Sequence, residues 1–317
     1  MVEGGREMFC SKCGNNLPDT AKFCDKCGNM VNKKMERKES AKGKNIKKIF
    51  LLFVCLVVLI NVVNASRNYI PESDIFYSYK DNGEAYVIKF SGYGEFSKVV
   101  IPEKVRKGWK TYCVTKICYY AFRECNNLIS VELPDSVIEI EQGAFAGCES
   151  LTDVKLSNSL TKIGENAFSN CENLKNIEIP EGVTEIGEYA FANCKNLNNI
   201  KIPGSVKKIV KTTFAAFGLT SIEIAEGVTE IGDRAFDMCR DLTNVNIPSS
   251  VKKIGERAFA NCESLKNIEI AEGVTEIGDK AFFNCKYLKK PKLPNSVTII
   301  GKNLFGFVLN GKEIVIE

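Results

Sequence analysis

The chain has no histidine. That excludes Ser-His-Asp and Cys-His nucleophilic catalysis, the HExxH zinc site and pH switching by imidazole. Tryptophan occurs once, at Trp109. Net charge is only +4 and is unevenly spread. Residues 1–48 hold 12 Lys/Arg against 6 Asp/Glu, and residues 64–317 hold 31 against 33. The larger part therefore lacks the basic surface of a nucleic-acid binder, and no nucleic-acid partner is expected. Long apolar runs are also missing, with one exception at Ile49 to Val63. No catalytic constellation remains, so the chain reads as a binding protein and not as an enzyme.

What is present is repetition. Phe122, Phe145, Phe168, Phe191, Phe214, Phe236, Phe259, Phe282 and Phe305 recur every 23 residues, with one step of 22 from Phe214 to Phe236. Val-x-x-Ile-Gly precedes each phenylalanine in most copies, Ala stands just before it, and Cys usually stands three places after. Leu-x-x-Ile-x-Ile follows, as in EGVTEIGEYAFANCKNLNNIKI from Glu181 to Ile202. A fixed period in the range of 20–29 with this leucine pattern predicts a leucine-rich repeat solenoid. One coil is too short to bury its own apolar face, so stacked coils share a core. Leu174, Ile177 and Ile179 should face inward beside Val183, Ile186 and Phe191. Leu-x-x-Ile-x-Ile should form a short parallel strand, with Gly182 and Gly187 at tight turns between faces.

Segments such as LPDSVIEIEQGAFAGC (Leu133 to Cys148) and IPSSVKKIGERAFANC (Ile247 to Cys262) resemble the BspA-like leucine-rich repeats of bacterial and some protist surface proteins. The resemblance covers about Val99 to Glu317. It implies a surface-displayed scaffold that contacts proteins, with host or matrix proteins as expected ligands. One departure is clear. Pro180, Pro203 and Ala225 stand where commoner leucine-rich repeats place Asn after the strand, so no asparagine ladder is expected.

The amino-terminal stretch FCSKCGNNLPDTAKFCDKCG (9–28) pairs two near-copies, Cys10-x-x-Cys13 and Cys24-x-x-Cys27. Each pair on a tight turn can supply half of a tetrahedral thiolate site for Zn²⁺. Four thiolates leave no open coordination position, so the zinc would be structural. A redox pair or a disulfide framework is the alternative. The stretch resembles the small zinc ribbons at the front of many bacterial membrane proteins.

Residues 33–48 hold eight Lys/Arg and two Glu, a solvated tether, and they abut the apolar run. Counting Ile46 to Ala65 reaches the roughly 20 residues of a membrane helix if Lys47 and Lys48 snorkel. A buried soluble helix or a cleaved leader are the other readings. The basic flank places the ribbon in the cytoplasm and the repeats outside, with the chain in the cell membrane as a single-pass protein. The expected organisation is a zinc ribbon at 1–32, a basic linker at 33–48, a transmembrane helix at 46–65, a stem and cap hairpin at 66–112, and repeats at 113–317. Residues 75–90 should form the cap hairpin, turning at Asp81-Asn82-Gly83. Trp109 either plugs the end of the core or is an exposed contact.

Two rows alternate in charge with a period near 46. One runs Glu132, Lys155, Glu178, Lys201, Glu223, Asn246, Glu269, Lys292; the other runs Glu139, Lys162, Glu185, Lys208, Glu230, Lys253, Glu276, Ile299. Opposite charges stacked about 4.8 Å apart pair and set register. The Phe+3 cysteines (Cys125, Cys148, Cys171, Cys194, Cys239, Cys262, Cys285) read as a buried spine. Disulfides between parallel neighbours would have poor geometry. Ser130, Asp153, Asn176, Asn199, Ser221, Asn244 and Asn267 form a polar row on the predicted strand face. They are the candidate ligand-binding residues, weighed against a merely solvated row. A second functional reading makes the repeats a sensor and the ribbon a cytoplasmic adaptor for a partner.

Overall fold

The computed structural model describes residues 8–9, 16–17, 74–91, 97–215, 218–289, 291–309 and 312–316. The chain divides into two units, Met1–Asn64 and Ala65–Glu317. In the first, Met8–Phe9 pairs antiparallel with Asn16–Leu17, and Leu17 is buried. The run Ile49 to Val63 and the four ribbon cysteines lie outside the described residues. Among the described residues no helix is long and apolar enough to cross a membrane.

The second unit is the expected solenoid. Leu-x-x-Ile-x-Ile forms the strands of an eight-stranded parallel sheet running from Lys98–Val100 through Ser130–Glu132 and Asn199–Ile202 to Asn267–Ile270. Its full strands alternate exposed and buried, which sends Ile200 and Ile202 inward and Asn199 and Lys201 outward. The Val-x-x-Ile segment forms a second row of two-residue strands, such as Lys162–Ile163 and Glu185–Ile186. Within one coil Leu197, Ile200, Ile202, Val206, Ile209 and Phe214 are all buried.

The phenylalanines stack ring on ring, with successive centroids 4.9–5.9 Å apart from Phe122 to Phe305. Phe90 from the cap extends the stack, 5.2 Å from Phe122. Its N–H donates to the Ala121 carbonyl at 2.7 Å, just as Phe122 donates to Ala144. The cap hairpin Ile75–Tyr79 and Glu84–Phe90 thus supplies an initial coil edge, and the core end is closed without Trp109. The plug reading of Trp109 is corrected: the side chain is fully exposed at the tip of a second hairpin, Lys104–Lys107 with Lys110–Ile117.

The glycine expectation also changes. Gly187 does not turn the chain through a positive φ; it lets two coils touch. A Cβ on Gly187 would lie 2.3 Å from the Glu165 nitrogen. Left-handed backbone falls instead mostly two before and two after the phenylalanines, at residues such as Tyr189 (φ 57°) and Asn193 (φ 60°), with Gly143 and Gly147 in these places around Phe145.

The cysteine spine forms for five of the seven expected members; Cys125 and Cys285, at its two ends, are only half-buried. Cys148, Cys171, Cys194, Cys239 and Cys262 are fully buried and unpaired. Each thiol donates to the carbonyl of the preceding coil's phenylalanine, as Cys171 Sγ does to Phe145 O at 3.2 Å and Cys194 Sγ to Phe168 O at 3.2 Å. A small apolar side chain with one weak donor suits this place.

The period of 46 has a second cause beside charge. Ser and Gly alternate along one row of turns. Ser250 Oγ donates to Val228 O at 2.7 Å and accepts from Gly227 N at 3.0 Å. Ser296 does the same with Val274 and Gly273. The Glu226 carboxylate, beside Gly227, accepts from the N–H groups of Ser249 and Ser250. Odd and even coils therefore interlock reciprocally.

Candidate functional site

The strand face is built by register. Ser130 lies opposite Asp153, which lies opposite Asn176. Asn176 lies opposite Asn199, Asn199 opposite Ser221, Ser221 opposite Asn244, and Asn244 opposite Asn267. All seven predicted residues form one continuous line. Ser130 is half-buried and the other six are exposed. Lys98 begins the same line, opposite Ser130, a member the repeat pattern did not reveal.

Two residues along each strand runs the first charged row. Lys155 bridges to Glu132, but Lys201 reaches diagonally to Glu181 at 3.1 Å instead of across to Glu178. The cause is local. The strand Asn176–Ile177 is only two residues long, and its pairing with the next strand is confined to Asn176 and Asn199. Beyond Ile177 the ladder opens. Over this opening lies a hollow of about 1050 Å³, lined by Asp153, Asn176, Asn199 and Ser221 together with Lys155, Glu178, Lys201 and Glu223. Among the described residues Glu178 makes no ion pair. The hollow therefore offers amide and hydroxyl groups, two cations and several carboxylates at the floor of the polar line. Such a mixture suits the side chains and main chain of a protein ligand better than a single strongly charged group.

The second charged row works as a register ladder. Lys116 meets Glu139 at 2.6 Å and Glu141 at 3.1 Å, Lys208 meets Glu230 at 2.9 Å and Lys253 meets Glu276 at 2.8 Å. Burial alone would lower the Lys116 pKa, but the hydrogen bonds that its ammonium donates to Glu139 and Glu141 outweigh it and raise it. A third row joins Glu172 to Lys195 at 2.6 Å and Glu263 to Arg240 at 3.3 Å. It sits one place after the cysteines, and the 23-residue spacing of Glu172 and Lys195 was its visible signal. Short asparagine ladders exist at other places of the coil than the one after the strand. Asn193 donates to Asn170 at 2.7 Å and Asn284 to Asn261 at 2.9 Å. These two follow the phenylalanine, whereas on the strand line Asn267 donates to Asn244 at 3.0 Å.

In the amino-terminal unit, Cys10, Cys13, Cys24 and Cys27 themselves lie outside the described residues. The antiparallel pair Met8–Phe9 and Asn16–Leu17 brackets Cys10-x-x-Cys13 and reverses the chain around it. That reversal, with four thiols in sequence, fits a zinc site. Among the described residues no cluster of three metal-ligating side chains occurs.

A parallel solenoid with one polar strand face is a leucine-rich repeat scaffold. The chain matches the profile of the BspA type leucine-rich repeat region over residues 115–242 and 207–317, and it belongs to that family. Residues 9–31 match a zinc-ribbon domain. Among solved structures it is similar to a leucine-rich cell surface protein from Faecalibacterium prausnitzii A2-165, with 30% identity over 74% of this chain and 73% of that one, and a TM-score of 0.61. It is also similar to a leucine-rich repeat protein of T. pallidum, with 26% identity over 70% and 91% of the two chains, and a TM-score of 0.53. No curated protein matches it.

Proposed function

We propose that the chain is a membrane-anchored scaffold that presents its repeats outside the cell for protein contact or adhesion. The observation that carries this reading is the unbroken polar line from Ser130 to Asn267, with the hollow set into its middle. The likeness to a cell surface protein supports external display. The apolar stretch Ile46 to Ala65 supplies the span, and the basic residues before it keep the amino-terminal ribbon inside. Cys10, Cys13, Cys24 and Cys27 hold a structural Zn²⁺ that folds the ribbon.

The test uses cells that make the full chain, binding to surfaces coated with extracellular-matrix protein. Asn176→Arg with Asn199→Arg places two long cations in the hollow without touching the core. Loss of binding supports the strand face; unchanged binding sinks it. The match to a zinc ribbon favours one further reading, in which the ribbon is an adaptor for a cytoplasmic partner. Removing residues 1–30 while keeping the span separates the two. Adhesion survives that deletion and signalling does not.

A further inference from the structure

The cap carries a hairpin with a fully exposed tryptophan at its tip. Lys104–Lys107 and Lys110–Ile117 pair across Gly108 and Trp109, and Gly108 takes the left-handed φ of 59° that a two-residue hairpin turn requires. Trp109 is 104% exposed and is the chain's sole tryptophan. Lys104, Arg106, Lys107 and Lys110 surround it, all exposed. Glu103, bridged to Lys104 at 3.4 Å, is the one acid between Lys98 and Lys116. One side of the hairpin rests on the cap's first hairpin. Lys107 Nζ lies 4.9 Å over the Tyr79 ring, and Tyr79 meets Tyr112 edge-on at 4.8 Å. The tip therefore presents one large aromatic to water among exposed cations.

Its chemistry selects the partner. Tryptophan settles at the headgroup level of bilayers, and flanking Lys and Arg draw it to anionic lipid. A two-residue tip is far too small for the ~1,000 Å² that a specific protein interface needs. Chain length supplies the second argument. Eleven residues separate Val63, the end of the apolar run, from the cap's first strand at Ile75. Fully extended at about 3.5 Å each, they reach no further than ~40 Å. If Ile46 to Ala65 spans a membrane, a tether of that length lets the cap reach the same bilayer.

We propose that the Trp109 hairpin docks the cap onto the anionic phospholipid surface of that same membrane. Trp109 lies among the headgroups, with Arg106, Lys107 and Lys110 on the lipid phosphates. This rests on the reading of Ile46 to Ala65 as a membrane span.

The full chain, reconstituted in phosphatidylcholine vesicles with and without phosphatidylglycerol, tests it. Resistance to alkaline extraction reports the span. Tryptophan emission reports Trp109 alone. The expected result is an extracted-resistant chain whose emission shifts to the blue and is quenched by brominated lipid when phosphatidylglycerol is present. Each of Arg106→Gln, Lys107→Gln and Lys110→Gln lowers the docked-to-free ratio about fivefold. Emission that stays water-like in a chain that resists extraction overturns the docking and leaves the span intact, with a protein contact as the tip's remaining use. A chain that is extracted overturns the span and the docking with it.

Discussion

Val210 occupies the place that Gly187 holds one coil earlier, and the sheet breaks between them. Gly187 N–H donates to Ile163 O at 2.8 Å, and Gly232 N–H donates to Ile209 O at 2.7 Å. Among the described residues no such bond runs from Val210 to Ile186, and the second row of strands divides there into two sheets. A Cβ at this position meets the backbone of the coil before it, so the coil carrying Val210 stands off. The ion-pair row breaks at the same step, between Glu185 and Lys208. The phenylalanine side holds across it, with Phe191 N–H on Thr213 O at 2.9 Å.

Val210→Gly should close that ladder. One or two recovered hydrogen bonds, at about 1 kcal/mol each, outweigh the glycine's entropic cost of roughly 0.5–1 kcal/mol. A small rise in the urea midpoint is expected. Gly255→Ala is the converse, because its Cβ would lie 2.6 Å from Asp233 N. It should cost about 1–3 kcal/mol. If Val210→Gly destabilises the chain, some other contact of Val210 sets the break.

Phe191→Ala should cost about 3–5 kcal/mol, since its ring is fully buried between Phe168 and Phe214 at 5.5 and 5.4 Å. The same change at Phe305, which among the described residues stacks on Phe282 alone, should cost clearly less. In a solenoid each coil is stabilised by its neighbours, so interior coils lose two interfaces and terminal coils one. Equal costs at both positions in urea unfolding would contradict this coupling.

The thiol spine makes stability fall in alkali. Burial pushes Cys194 up to about 12 and raises Cys171 and Cys262 as well. In the unfolded chain a thiol ionises near ~8.5. The folded pKa is the higher one, so the contribution is complete below ~8.5 and is lost as pH rises above it. The slope is about 1.4 kcal/mol per pH unit for each such thiol. Urea unfolding between pH 8 and 10 should show it, and Cys194→Ala should remove one thiol's share. A flat profile over that range would mean that the thiols reach water.

The ribbon should bind one Zn²⁺ per chain. Cys10→Ser or Cys24→Ser should release it, as measured by metal content, while unfolding of the repeats stays unchanged. Full zinc retention in both variants would remove these residues from the site.

Much of this was legible in the sequence because a solenoid writes its contacts as a period. The phenylalanine stack, the cysteine spine and the polar line each occupy one position of the repeat, so the coil spacing turns a column of letters into a column of contacts. Outside the period less was legible: the cap hairpin over 75–90 could be read, but not what it joins. Phe90 joins the stack from 32 residues before Phe122, because the Trp109 hairpin is inserted between them. Trp109 could be read as a plug or as an exposed contact, and the two-residue turn that projects it decides for exposure. The glycines before the phenylalanines looked like turn residues. Their actual role, close approach between coils, depends on the neighbouring chain and not on local sequence. The hollow was hidden for the same reason. Glu178 is in phase with its row, and only the shortened strand Asn176–Ile177 shows where the ladder opens.

The display of the repeats is tested most directly by protease treatment of intact cells, followed by blotting for both ends of the chain. The account predicts that the repeats disappear while a fragment holding the ribbon and the span is protected. Repeats that survive on intact cells and are cut only after lysis would place them inside, and the adhesive reading would fall.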